Sequence, residues 1–219
     1  MTNQQPLSAA PERVPGPRPV LSVAAVCELA MRTRARSAIL VEGWSDQAAL
    51  EALARRFGWS LPAQGILVVP IGGVTNIAQF AAALGPRGIG LRLAGLYDAA
   101  EEAHVVRGLE RSGLGVNLTQ SEAAALGFHV CNADLEDELI RALGTSAAER
   151  LLDTQGELDS FRRFQNQPAQ RANDVQAQLR RFMGTRAGRK IRYGSLLVDA
   201  IDLDRIPQGL YLALACARN

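Results

Sequence analysis

Four short apolar runs, each followed by a stretch with helical spacing, constrain this chain more than any other feature. Ala38-Ile39-Leu40-Val41, Ile66-Leu67-Val68-Val69, Leu91 to Leu96 and Phe128-His129-Val130-Cys131 read as strands. They are nearly continuous in apolar residues rather than alternating. Such strands are buried on both faces, which is the signature of a parallel sheet covered by helices. The intervening segments supply those helices. Ala49, Leu50, Leu53 and Phe57 share one face of a helix for which Ser45 is the expected cap. Ile77, Phe80, Ala81 and Leu84 form another face, in a helix starting at Thr75 or Asn76. A further helix is expected over about 100–110, and Asp134 opens one that Gly144 ends after Leu143. Before the first strand, Val23, Val26, Cys27, Ala30 and Met31 make a helical stripe.

After Gly144 the strand pattern stops. Residues 146–217 read as four or five helices, broken near Gly156, Pro168, Gly184 to Gly188 and Pro207. The expected organisation is a tail over 1–19, an α/β domain over 20–145 and a helical C-terminal part over 146–219. The tail is rich in proline (Pro6, Pro11, Pro15, Pro17, Pro19) and poor in apolar residues, so disorder is expected there.

Charge divides along the same line. The whole chain carries a net charge of +2, too little for a polycation that coats nucleic acid. Residues 1–150 hold 13 bases against 15 acids, and residues 151–219 hold 11 against 7. Arg180, Arg181, Arg186, Arg189, Lys190 and Arg192 form a stretch with no acid among them. This layout suits an acidic site beside a phosphate-binding surface, and it equally suits two solvated helix faces. No apolar run nears the roughly 18 residues that span a bilayer, and the N-terminus lacks the apolar core of a signal peptide. Three widely spaced cysteines with no CxxC argue against a disulfide framework. A cytoplasmic protein with no membrane partner is expected.

Function in a parallel α/β sheet collects at the carboxyl ends of the strands. Three of the four runs end at acids. Glu42 follows the first, with Asp46 one turn into the next helix. Asp98 ends the third, with Glu101 and Glu102 close behind, and Asp134, Glu136, Asp137 and Glu138 follow the fourth. The second run ends at Gly72-Gly73, which permits a sharp turn and close approach of a backbone or a phosphate. Individually these acids have plain structural uses, Asp46 as a helix-dipole partner and Asp134 as an N-cap. Together they would repel one another unless protonated or neutralised by a cation. Oxygen-only ligation suits Mg²⁺ or Mn²⁺, which commonly serve phosphoryl transfer. GxSxG and HExxH are absent from the sequence, and so is a phosphate-binding GxxxxGK[ST] loop.

The motifs resemble those of a TOPRIM domain over about residues 37–143. That family carries a glutamate after its first strand, glycines after its second and a DxD-type acidic motif after its third. Here Ile39-Leu40-Val41-Glu42-Gly43-Trp44-Ser45-Asp46 has the EGxSD form, Ile71-Gly72-Gly73 matches the second motif and Leu96-Tyr97-Asp98 begins the third. Within the superfamily the chain is most similar to the TOPRIM part of the OLD (overcoming lysogenization defect) nucleases. Those add a later acidic motif, here Asp134-Leu135-Glu136, and a lysine in a C-terminal helical segment. Lys190, the one lysine among 24 basic residues, stands in that place.

The resemblance implies a Rossmann-like fold and a phosphodiester hydrolase that cuts or nicks DNA with one or two Mg²⁺ or Mn²⁺ ions. It implies Glu42, Asp46, Asp98 and Glu136 as metal ligands, helped by Glu101, and Glu42, Asp98 and Lys190 as catalytic groups. Gly72, Gly73, Arg186, Arg189 and Arg192 would meet the nucleic acid backbone. Two departures stand out. The ATPase domain of OLD nucleases has no counterpart motif here, so the protein would act alone or with a separate ATPase partner. Ala100 also replaces the second aspartate of DxD, which leaves a non-catalytic nucleic-acid-binding or partner-binding module as the alternative.

Overall fold

The computed structural model describes residues 19–219. The tail expected over 1–19 therefore lies almost wholly outside the described residues. The elements run α1 (Val23–Thr33), β1 (Ser37–Val41), α2 (Trp44–Arg56), β2 (Ile66–Pro70), α3 (Ile77–Leu84), β3 (Arg92–Asp98), α4 (Glu102–Ser112), α5 (Gln120–Ala125), β4 (Phe128–Cys131), α6 (Leu135–Leu143), α7 (Thr145–Thr154), α8 (Leu158–Gln165), α9 (Val175–Gly184), α10 (Ala187–Ala200) and α11 (Gln208–Arg218). The four strands form one parallel sheet in the order β2-β1-β3-β4. Pro70, which has no N–H to donate, sits at the end of the edge strand β2, where that loss is tolerated.

Side chains alternate across a strand, and here the alternation separates two cores. Ile39 and Val41 of β1 and Ala94 and Leu96 of β3 face one cluster, which includes Leu50 and Leu53 of α2. Ala38 and Leu40, with Leu93 and Tyr97, face the other, built from α1, α3 and α4. Both faces of the sheet are covered, as continuous apolar strands require. The first cluster also takes in Leu152, Phe161, Leu179, Tyr193, Leu197, Leu210 and Leu214 from α7 to α11. The C-terminal helices thus share the core of the sheet instead of forming a core of their own.

Two local details depart from expectation. Ser45 is not the cap of α2. Gly43 occupies that position in extended geometry, and Asp46 reaches back so that its Oδ2 accepts the Gly43 N–H at 2.8 Å. Helix α5, capped by Thr119 with Glu122 answering its backbone N–H, lies in a segment that the apolar spacing left unassigned. Among the described residues no helix is long and apolar enough to cross a membrane.

Candidate active site

The strand order reverses between β1 and β3, so a crevice opens beyond their carboxyl ends. Glu42 stands at the end of β1 and Asp98 at the end of β3. Next to Glu42, the turn after β2 is folded inward: the N–H groups of Gly72 and Gly73 both donate to the Glu42 carbonyl, at 3.1 and 3.2 Å. Both glycines have positive φ (72° and 109°), which side-chain-bearing residues resist. Their amides are thereby occupied and are not free to cradle a phosphate, although both residues line the crevice.

The fourth acid arrives from the other side. Asp134 caps α6 by accepting the Asp137 N–H at 2.8 Å, and it also takes Arg180 Nε at 2.5 Å. Asp137 accepts from Gln176, and Glu138 from the Asn132 N–H. These three acids serve local structure. Glu136 alone among them turns into the crevice, almost fully buried at 3% exposure. Ala133, just before the cap, holds φ at 81°, a strained value for a residue with a Cβ.

Helix α10 closes the crevice with Lys190. A Cβ on Gly194 would come within 2.7 Å of the Ser45 carbonyl oxygen, so α10 lies directly on the backbone at the start of α2. Lys190, one turn earlier, reaches Glu136 with Nζ to Oε2 at 3.3 Å. Glu42, Gly72, Gly73, Asp46, Asp98, Glu136 and Lys190 thus line a single cavity of about 370 Å³ with Trp44, Ala187 and Ile191.

The carboxyl groups are electrostatically crowded. Burial, and then the charge of Glu136, lift Asp46 to about 7 despite the Gly43 N–H and Lys190. Burial, and then the charges of Asp46 and Glu42, lift Asp98 to about 7 as well. Glu136 is raised by burial, against the pull of Lys190. Lys190 loses solvation too, but Glu136 and Asp46 more than compensate and its pKa stands above the ordinary value. Glu136 Oε1 is buried without any hydrogen-bond partner. An orphaned carboxylate oxygen facing further carboxylates in a small cavity fits a hard divalent cation. Among the described residues, no three Asp, Glu, His or Cys side chains are gathered tightly enough to hold an ion as they stand. The acids line the crevice without meeting at a point.

Other residues singled out from the sequence lie elsewhere. Glu101 is outside the crevice, its Oε2 3.2 Å from His104 Nδ1. Arg189 and Arg192 both turn to Glu157, Arg189 Nε at 2.9 Å from Oε2 and Arg192 on Oε1, and the Arg189 guanidinium lies over the Phe182 ring. They brace α10 against the segment before α8 rather than presenting free guanidinium groups. Arg186 is exposed at the start of α10. The sequence motif that contains Trp44 gives that residue no role of its own, and Gly194 falls in no motif at all. The W-S-D spacing after Glu42 was the signal for the first, while nothing local marks the second.

A glutamate ending the first strand, a glycine turn after the second and an aspartate ending the third, set around one crevice of a parallel sheet, define a TOPRIM-type α/β protein. Residues 35–99 match the sequence model for the TOPRIM domain of overcoming-lysogenization-defect-like proteins, so the chain carries an OLD-like TOPRIM domain over that segment. Solved structures extend the likeness. The C-terminal region of the Xanthomonas campestris pv. campestris OLD protein, phased with iodine, is 24% identical with a TM-score of 0.64, over 84% of this chain and 94% of that one. The same region phased with mercury is 26% identical with a TM-score of 0.62, over 84% and 95%. The C-terminal region of the Burkholderia pseudomallei OLD protein is 24% identical with a TM-score of 0.61, over 84% and 97%. No curated protein sequence matches the chain.

Proposed function

We propose that this protein is a divalent-cation-dependent phosphodiester hydrolase acting on DNA, with Mg²⁺ or Mn²⁺ held by Glu42, Asp46, Asp98 and Glu136. One observation carries the reading: four carboxyl groups and one ammonium line the crevice at the topological switch point, with Glu136 Oε1 unpartnered. When bound, the cation would clamp phosphate oxygens and lower the pKa of the attacking water. The protein's own groups would do the rest. Asp46 and Asp98, already disposed to hold protons near neutrality, would ionise as ligands. Lys190 would present its ammonium to a non-bridging or leaving oxygen, as fixed cations do where negative charge develops. Glu136 would keep that ammonium charged and aimed. Arg181 and Arg186, which are exposed, would attract the phosphate backbone without reading sequence.

The test is nicking of supercoiled plasmid in Mn²⁺ or Mg²⁺. Glu42→Ala and Lys190→Ala should each reduce it at least 100-fold. Wild-type rates in both variants, or no nicking by pure protein, would sink the hydrolase reading. Ala100, in place of a second aspartate, favours the alternative of a non-catalytic binding module. That alternative expects salt-sensitive DNA binding that ignores divalent ions and survives Asp98→Ala. An ATPase partner is proposed only by analogy with the architecture of OLD nucleases.

A further inference from the structure

Trp44 lines the crevice, and the hydrolase reading gives it no task. It is the first residue of α2, set between Glu42 and Asp46 in the chain and facing the same cavity as Lys190 and Ile191. Its ring is half-buried, yet it belongs to neither hydrophobic cluster. The other tryptophan shows what a structurally employed indole looks like here: Trp59 stacks on Phe57 with centroids 4.7 Å apart and carries the Arg218 guanidinium 3.7 Å from its ring. Among the described residues, no ring or cation packs on the Trp44 indole and no acceptor meets its N–H. The part of the indole that stays open therefore faces carboxylates and a lysine across the crevice, with no group among the described residues engaging it.

The crevice also continues. Glu136 and Lys190 line a second cavity of about 680 Å³, which runs on to Gln170, Arg181 and Thr185. Arg180 in that cavity is tied to Asp134, whereas Arg181 has no ion-pair partner among the described residues. A phosphodiester at Lys190 would thus have an aromatic face on one side and a free guanidinium on the other. Every nucleobase has a π-face that can stack on an aromatic side chain, whatever the sequence. Bases inside a duplex are already stacked on their neighbours, so such a platform takes a nucleotide that is unpaired.

We infer that Trp44 is a stacking platform for one unpaired base, and that the site engages single-stranded or locally unpaired DNA in preference to continuous duplex. The inference rests on the reading of the crevice as a phosphodiester site. Its test uses binding, so that the two can fail separately. Fluorescently labelled oligothymidylate and a blunt hairpin duplex of equal length would be titrated with the full chain in Ca²⁺, followed by anisotropy. The single strand should bind at least tenfold more tightly. Trp44→Ala should weaken single-strand binding about tenfold, the equivalent of about 1.4 kcal/mol, and Trp44→Phe should restore most of it. Neither substitution should alter Mn²⁺ affinity, which separates stacking from damage to the acids.

A second readout needs no change at the site. Trp59→Phe leaves Trp44 as the sole tryptophan of the chain, and its emission should be quenched by the single strand and not by the hairpin. Equal affinity for both DNAs, single-strand affinity unchanged in Trp44→Ala, or no DNA binding would each overturn the inference. Nicking lost in Glu42→Ala while Trp44→Ala binds normally would reject the platform and keep the hydrolase. Selective single-strand quenching without any nicking would do the reverse.

Discussion

Lys190 Nζ lies 3.3 Å from Glu136 Oε2, joining α10 to the first turn of α6 across the crevice. The pair is lopsided: the glutamate side chain is 4% exposed and the lysine 44%. Burial disfavours the Glu136 carboxylate, and Lys190 is the main group that offsets this. The two residues lie 54 positions apart, so the contact exists only because α10 folds back over α2. It links the integrity of the fold to the charge state of the proposed site.

Removing the lysine should therefore affect stability as well as activity. Lys190→Ala leaves a buried carboxylate with one orphan oxygen and no cation. Because the lysine is substantially exposed, a loss of about 1 kcal/mol is expected, well short of that for a fully buried pair. Because burial raises the Glu136 pKa, the loss should be larger at alkaline pH, where the carboxylate is charged, than at acid pH, where it takes up a proton. Urea unfolding at an alkaline and an acid pH measures this. Lys190→Arg should restore stability but little of the nicking, since a planar fork does not substitute for a compact ammonium.

Asp46 and Asp98 stand near 7, against an ordinary value of 3.8. A raised acid holds its proton more tightly in the folded state than in the unfolded one. Its contribution to stability is full below the unfolded value and is lost as pH rises through the folded one. Without divalent ions, Asp46→Asn should gain on wild type as pH rises above about 4, with the full advantage above about 7. Asparagine can still accept the Gly43 N–H that Asp46 now holds. Thermal melts in EDTA at pH 4.5, 6 and 8 should show the gap opening to a few degrees, at roughly 2–4 °C per kcal/mol for a chain of this size. Adding Mn²⁺ at pH 8 should reverse the order, because the wild type, with its full set of carboxylates, gains more binding free energy. A wild type that is more stable than Asp46→Asn in EDTA at pH 8 would contradict this account.

The acidic loop after β3 gives a third prediction. Asp98→Ala and Glu136→Gln should each weaken Mn²⁺ binding at least tenfold in calorimetric titration. Glu101→Ala should leave it unchanged, since that carboxylate lies beside His104 and outside the crevice. Ala100 is exposed in the short helical turn that follows Asp98. Ala100→Asp should therefore fold normally, restore the DxD pattern and tighten binding or add a second ion. Loss of binding in Glu101→Ala would mean that this loop rearranges around the ion.

Much of this arrangement could be read from the chain. The strands were legible because each is a short apolar run with a clear boundary; Phe128–Cys131 matches to the residue. Glu42 and Asp98 were legible because strand ends are where a parallel sheet places its chemistry. The basic stretch misled. Arg189 and Arg192, three residues apart, share a helix face that turns to Glu157, while Lys190, between them in sequence, turns to Glu136. A run of like charges does not show which face is occupied when the partner is more than thirty residues away. Helix α5 has only six residues, too few to show a stripe, although its Thr119 and Glu122 carried the capping-box spacing.

Gly194 was invisible for a related reason, since a glycine inside a helix reads as a weakness. On propensity alone, Gly194→Ala should stabilise α10 by about 1 kcal/mol. The structure predicts the opposite. The added Cβ would lie 2.7 Å from the Ser45 carbonyl oxygen, with the Ser45 carbonyl carbon and Cα at 3.4 and 3.5 Å. Those are backbone atoms at the start of α2, next to Asp46, and they cannot rotate away. Relief requires α10 to lift from α2, which loosens the packing of Tyr193, Leu197 and Val198 in the shared core and draws Lys190 away from Glu136. Gly194→Ala should therefore lower stability by about 1–3 kcal/mol and reduce nicking more than a surface alanine substitution on the same helix, such as Asp199→Ala. Denaturant unfolding and plasmid nicking on both variants decide it. A Gly194→Ala protein as stable and as active as wild type would show that α10 tolerates displacement and that the close approach does not position Lys190.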